Sequence, residues 1–210
     1  MRDGEAFEGG IQMTLILIAG MPATGKSTLA AYLSKTLGFP VFSKDSIKET
    51  LFDTLGFSSR AEKVRLGVAA NEIMLNSAKS CLICGQSCIL ENNFETATNP
   101  ELQKMIEQTG ARTITVLLTG DFRSSYSRFA MRDQSPERHR GHVVNDCYPE
   151  KPGSKAKTHT IDFETFVSGM TARGMNQPPV GGTVIEVDTT NVEQIDMESI
   201  TSAVRETIGM

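Results

Sequence analysis

The run Gly20-Met21-Pro22-Ala23-Thr24-Gly25-Lys26-Ser27 has the spacing G-x-x-x-x-G-K-[ST]. That pattern suits phosphate binding. Glycines let the backbone turn closely enough to aim successive N–H groups at phosphate oxygens. A helix beginning near the lysine adds its positive end, the ammonium can reach β- and γ-phosphates, and the serine hydroxyl can hold Mg²⁺. Gly20, Ala23, Thr24, Gly25, Lys26, Ser27 and Thr28 are therefore candidate nucleotide-binding residues, with Ser27 as the candidate metal ligand.

Three other places carry side chains suited to phosphoryl chemistry. Asp45, in Phe42-Ser43-Lys44-Asp45, falls where a second strand ends. There a carboxylate can take the proton of a hydroxyl attacking the γ-phosphate, or can serve only as the N-cap of the following helix. Glu91, in Leu90-Glu91-Asn92-Asn93, ends a third strand and can orient a metal-bound water, touch substrate or merely aid solubility. Arg123, Arg128 and Arg132 follow a fourth strand, and the last two share a helical face at i, i+4. Guanidinium groups so placed can hold phosphate oxygens bidentately, the alternative being a solvated face. The next basic run, Arg138-His139-Arg140-Gly141-His142, reads as a mobile polar lid, or as an H-x-x-H metal pair with Cys147 nearby.

The elements that must position these groups alternate. Strands are expected at Leu15–Ala19, Pro40–Ser43, Ser87–Asn92, Thr113–Leu118 and Thr183–Asp188. Helical periods fall at Ser27–Leu37, Ser46–Leu55, about Ala61 to Cys84, after an Asn99 cap, after an Asp121 cap, and over Val192–Ile208. Strand–helix alternation of this kind means a parallel α/β sheet with helices on both faces. Residues 149–182, with four of the eight prolines and five glycines, break the rhythm. They are expected to insert over the active face, with a short helix at Ile161–Met170. The organisation expected is an N-terminal extension over 1–13 and one domain over 14–210, with a lid over about 122–147.

Composition narrows the function classes. A chain of 210 residues with 39% hydrophobic and 22% charged residues is an ordinary globular protein, not collagen-like, disordered or coiled-coil. The stretch from Ile11 to Ala23 is too short to span a bilayer, and the acidic start is unlike a signal peptide, so a cytoplasmic protein without a membrane partner is expected. Eight Lys or Arg face four acids between 122 and 160, so on a chain of net charge −4 the remainder carries −8. A local basic segment on an acidic protein suits a small anionic ligand better than nucleic acid. Cys81, Cys84 and Cys88 form C-x2-C-x3-C, which reads as core thiols over a metal site because Cys88 falls in a strand.

Taken together, GMPATGKST, FSKDSIKETLF, CILENNF, YSRFAMR, RHRGH and VIEVDTT resemble the P-loop small-molecule kinase group. That group includes chloramphenicol phosphotransferase-like, gluconate-kinase-like and polynucleotide-kinase-like domains. The resemblance runs over roughly residues 14–208. It implies a P-loop NTPase fold with five parallel strands ordered 2-3-1-4-5, ATP and Mg²⁺ as cofactors, and transfer to a small-molecule hydroxyl. By position it makes Asp45 the hydroxyl-activating acid, Lys26 and Arg132 the groups at the transferred phosphate, Arg128 a lid residue near adenine, and Asp188-Thr189-Thr190 the loop near the base. Lys48 stands where polynucleotide-kinase-like members tend to have Arg, Glu91 replaces the more usual Asp, and Arg140 replaces a frequent Pro. A nucleotide hydrolase or switch, or a regulatory protein that binds nucleotide without an acceptor, are the other classes the pattern allows.

Overall fold

Leu15, Leu17 and Ala19 turn to one face of β1 (Thr14–Gly20), Ile16 and Ile18 to the other, and all five are inaccessible to solvent. A strand apolar on both sides must be covered on both sides, as in the centre of a parallel sheet. The computed structural model, which describes residues 13–151 and 161–210, shows that arrangement. β2 (Val41–Ser43), β3 (Cys88–Glu91), β4 (Arg112–Thr119) and β5 (Thr183–Asp188) join β1 in the order β2-β3-β1-β4-β5, every pair parallel. This is the P-loop NTPase α/β fold, with the expected strand order.

Helices α3 (Arg60–Ile83) and α4 (Asn99–Thr109) cover one face through Met74, Ala78, Leu82, Leu102 and Met105. Helices α1 (Lys26–Leu37) and α8 (Met197–Ile208) cover the other through Leu29, Leu33, Ile200 and Val204. The register is what builds a site. Glu91 pairs with Ile18 on one side and with Ser43 on the other, so the carboxyl ends of three strands meet. Ligand crevices of open α/β sheets open at those ends.

Several boundaries differ from expectation. Helix α2 (Lys44–Leu55) is capped by Ser43, whose Oγ accepts from Ser46 N at 3.5 Å, so Asp45 lies inside the first turn and is not the cap. Asn99 opens α4 rather than capping it, after a 3₁₀ turn over Thr96–Thr98. The final helix is split, because Asp196 accepts from Glu198 N and Ser199 N and starts α8 afresh after a 3₁₀ turn at Val192–Gln194. Asp121 does cap α5 (Phe122–Gln134), accepting from Ser124 N at 2.8 Å.

Most of the expected extension at 1–13 lies outside the described residues. So does 152–160 of the expected insertion, with Lys155 and Lys157. In the remainder, α7 (Phe163–Ala172) packs Phe166 and Met170 against α5 and against Met21. Of the cysteines, Cys88 is buried, Cys81 half-buried and Cys84 exposed, which corrects the reading of all three as core thiols. Among the described residues, no helix is long and apolar enough to cross a membrane.

Candidate active site

Between β1 and α1 the chain turns through left-handed φ at Ala23 (63°) and Gly25 (92°). Such turns aim consecutive amides into one concavity, a ready anion cradle. Gly20 serves packing instead, because a Cβ there would stand 2.3 Å from the Leu118 carbonyl oxygen. Thr24 is buried with its hydroxyl on the Met21 carbonyl at 2.8 Å, and the Lys26 ammonium donates to the same carbonyl at 2.7 Å. Burial brings the Lys26 pKa down to about 8, against the attraction of Glu91 and Asp45. Lys26 is therefore a cation short of counter-charge.

Glu91 is only 5% exposed and takes a hydroxyl on each oxygen, Ser27 Oγ at 3.3 Å on Oε1 and Ser43 Oγ on Oε2. One buried carboxylate thus ties the loop's serine to the cap of α2. Ser27 and Glu91 form a hard-oxygen pair at the loop, the donor chemistry Mg²⁺ prefers. No group of three or more His, Cys, Asp or Glu that could hold a metal occurs among the described residues, and the His and Cys pattern is not gathered into one.

A cleft of about 570 Å³ opens over this loop. Ala23, Gly25, Lys26, Ser27 and Thr28 line it, joined by Asp45, Glu91, Arg128 and Arg132. Gly20, Thr24 and Thr189 do not. Thr189 is fully buried, its hydroxyl on the Thr119 carbonyl at 2.6 Å, so it braces β5 against β4. Arg128 bridges two loops, donating to Ala23 O at 2.9 Å and Thr190 O at 3.1 Å. Arg123 turns away and lies 4.7 Å from the centre of the Phe163 ring.

Arg132 and Arg138 approach Asp133 at 3.9 and 3.5 Å, yet the buried Nε of each lacks a hydrogen-bond partner, as does the amide nitrogen of the buried Asn92. All three side chains line the cleft. Unsatisfied buried donors of this kind fit a phosphate-rich ligand, because an unpaired buried donor is costly.

Asp45 stays open to water at the wall of the cleft, with protein packed densely around it. Burial alone would raise its pKa, but His142, Lys48, Arg138 and Lys26 together hold it below the ordinary aspartate value. His142 itself is pushed down by burial and by the neighbouring cations, against the attraction of Asp45.

The RHRGH segment, expected as a polar lid, packs against α2 and α3. Asp45, Glu49 and Asp53 lie at i, i+4 and i+8 on α2, and the segment meets the last two. His142 Nε2 lies 2.9 Å from Glu49 Oε1, His139 Nε2 lies 3.0 Å from Asp53 Oδ1, and the Tyr148 hydroxyl donates to Asp53 at 2.7 Å. Gly141, in α6 (Arg140–Val143), sits on the Phe52 ring, where a Cβ would come within 2.3 Å. From α3, the buried Lys63 ammonium donates to the carbonyls of His142 and Val144 and to Asn145 Oδ1. The sequence alone does not single out Ser43 or Asn92 as site residues, and it marks Lys48 only as a departure from the kinase pattern and Arg138 and His142 only as parts of a lid or metal pair. The carboxylates at i, i+4, i+8 on α2 were the signal that would have found the docking face.

A second cleft of about 1100 Å³ adjoins the first, with Lys44, Lys48, Glu95, His142 and Arg173 in the wall common to both. It runs between α2, α3, the start of α4 and α6.

An AAA domain family (AAA_18) matches residues 16–148. A protein from Chloroflexus aurantiacus, described as a “putative kinase”, is similar at 32% identity with a TM-score of 0.76, over 93% of this chain and 98% of its own. The Mycobacterium tuberculosis APS kinase bound to AMPPNP and APS gives a TM-score of 0.57 at 13% identity, over 95% of this chain and 99% of its own. Shikimate kinase from Bacteroides thetaiotaomicron gives 0.54 at 14%, over 94% and 99%. The last two share the fold. No curated protein matches the chain.

Proposed function

The chain belongs to the AAA_18 family of AAA domains, and on that premise we propose that it is a kinase moving the γ-phosphate of ATP to a hydroxyl of a small molecule. The observation that carries this reading is the placement of Asp45. It lines the phosphate cleft between Lys44 and Lys48, the two residues of α2 that also line the second cleft. An acceptor hydroxyl coming from the second cleft would meet a carboxylate before it met phosphorus.

In this mechanism the loop amides and Lys26 hold the β- and γ-phosphates, and Arg132 gathers charge on the transferred group. The acceptor oxygen attacks the γ-phosphorus, its proton passes to an Asp45 carboxylate oxygen, and the bond from phosphorus to the β–γ bridging oxygen breaks. ADP leaves with that electron pair. Asp45 can accept because the surrounding cations keep it ionised. Mg²⁺, when bound, neutralises phosphate charge, and Ser27 with Glu91 behind it would hold the ion. Arg128 keeps the loop joined to the segment after β5, where the base end of the nucleotide would lie.

A hydrolase or switch needs neither a second cleft nor a base in the wall beside it, and a regulatory nucleotide binder needs no base at all. The test is transfer of labelled γ-phosphate across sugars, nucleosides, antibiotics and polyols, beside hydrolysis without acceptor. Transfer to one class should far exceed background hydrolysis, and Lys26→Ala should lower it roughly 10³-fold with the fold intact. ATP hydrolysis at one rate whatever acceptor is present would overturn the kinase reading.

A further inference from the structure

The second cleft has two unlike ends. At the wall it shares with the phosphate cleft, cations crowd together. Lys48 extends over α3 so that a Cβ on Gly67 would lie 3.8 Å from its Nζ, and its ammonium sits 5.5 Å from the Phe52 ring centre. Neither Lys44 nor Lys48 has an ion pair or hydrogen bond among the described residues. Lys63 is spent on neutral oxygens and brings no carboxylate to the group. Of the acids nearby, Glu95 is paired with Arg173 at 3.5 Å and Asp133 with Arg138 at 3.5 Å, Asp45 attracts Lys48 from the phosphate cleft, and Glu72, Glu101 and Asp146 line the cleft without an ion pair to Lys44 or Lys48.

The repulsion is felt. Burial first lowers the Lys48 pKa, with Lys44 and Arg138 adding to it against the attraction of Asp45, and burial with Lys48, Arg60 and Arg138 brings that of Lys63 to about 8. Lysines crowded together beyond what Asp45 offsets are relieved by an anionic ligand.

The flank of the cleft is apolar. Val64 and Val68, one turn apart on α3, are 54% and 58% exposed although both line it. Phe129 and Val143 line it too. β-branched side chains left open in a concave wall beside aromatic and aliphatic neighbours suit a ligand with an apolar body.

We propose that the acceptor is an amphipathic anion: a hydroxyl compound whose carboxylate or phosphate sits between Lys48 and Lys44, beside Asp45, and whose apolar body lies on Val64 and Val68. This deepens the kinase reading and rests on it. The anion lies near the hydroxyl, because Lys44 and Lys48 flank Asp45 in the chain. A neutral polyol would leave Lys44 and Lys48 without an ion pair, and a small polar acid would leave the valines bare.

The test uses full-length protein saturated with AMPPNP and Mg²⁺, and calorimetric titration with 3-phenyllactate, lactate, 3-phenylpropane-1,2-diol and phenyl phosphate. Phenyllactate should bind at least tenfold tighter than lactate, which lacks the apolar body, and than the diol, which lacks the charge. Lys48→Gln should erase the advantage over the diol while Lys48→Arg keeps it, and Val68→Asp should erase the advantage over lactate. Lys48→Gln should weaken phenyllactate at least tenfold more than it weakens AMPPNP. The tighter of phenyllactate and phenyl phosphate then identifies the anion.

No saturable binding of phenyllactate or phenyl phosphate to the AMPPNP-loaded protein would overturn the proposal and leave the kinase reading standing. So would a diol that binds as well as phenyllactate, or a preference untouched by Lys48→Gln in a protein with wild-type circular dichroism. Failure of AMPPNP itself to bind would bring down the kinase reading, and this proposal with it.

Discussion

The phosphate cleft and the cleft beside it share a wall but are made in different ways. The first takes its floor from one short stretch, residues 22–28, whose left-handed turns at Ala23 and Gly25 are local backbone geometry. The second is assembled from α2, α3, the start of α4, and α6, with contacts that reach across about eighty residues of chain, as from Lys63 to His142. A locally coded site tolerates change elsewhere. An assembled one fails when any of its docking contacts fails. Substitutions in the first should therefore strike chemistry while sparing the fold, and substitutions in the docked segment should strike stability first.

The sharpest separation is expected at Asp45→Asn. Because Ser43 is the cap, the helix keeps its terminus, yet the proton acceptor is lost. Phosphoryl transfer should fall by ~10²–10⁴ with little change in AMPPNP affinity. The pH dependence has a definite sign. The cations hold the Asp45 carboxyl below its ordinary value, so it stays ionised at neutral and mildly acid pH and is lost only as pH falls through that lowered value. The wild-type rate should thus hold level down through about pH 5 and drop below the usual carboxylate range near 4, while the residual Asp45→Asn rate lacks that drop. A variant with normal turnover would reduce Asp45 to an ordinary helical residue.

Glu91→Gln tests the tie between the phosphate loop and the start of α2, since that carboxylate holds Ser27 and Ser43 together. Loss of such a supporting anion should lower transfer by roughly 10–100-fold and raise the Mg²⁺ concentration for half-maximal rate. If the Mg²⁺ titration is unchanged, Glu91 only joins β3 to α2.

Gly141→Ala tests the docked segment. The new methyl would meet the Phe52 ring at 2.3 Å, and overpacking of this kind costs about 1–3 kcal/mol. A fall of several degrees in thermal midpoint is expected, with a smaller loss of kcat/KM than either variant above. An unchanged melting curve would show that the segment yields freely and that the contrast between the two clefts is overdrawn.

The sequence by itself determined what depends on neighbours in the chain. The apolar run of β1, the helix stops at Gly38 and Gly110 and the cap at Asp121 follow from local conformation and burial periodicity, and so does the phosphate loop. The strand order came by resemblance, not from spacing. Tertiary structure decided the rest. The alternative reading of Asp45 as only a cap rests on Asp being a favoured one, but the register of Ser43 against Glu91 placed a competing hydroxyl two residues earlier. Thr189 read as a loop residue near the base, yet β4 and β5 packed closely enough for the Thr119 carbonyl to claim its hydroxyl. RHRGH read as mobile because it is polar and glycine-bearing, while Glu49, Asp53 and Lys63, each distant in the chain, supply the partners that hold it. Local patterns report a residue's own preference. Whether a charge or hydroxyl is left free for a ligand depends on which distant group reaches it first.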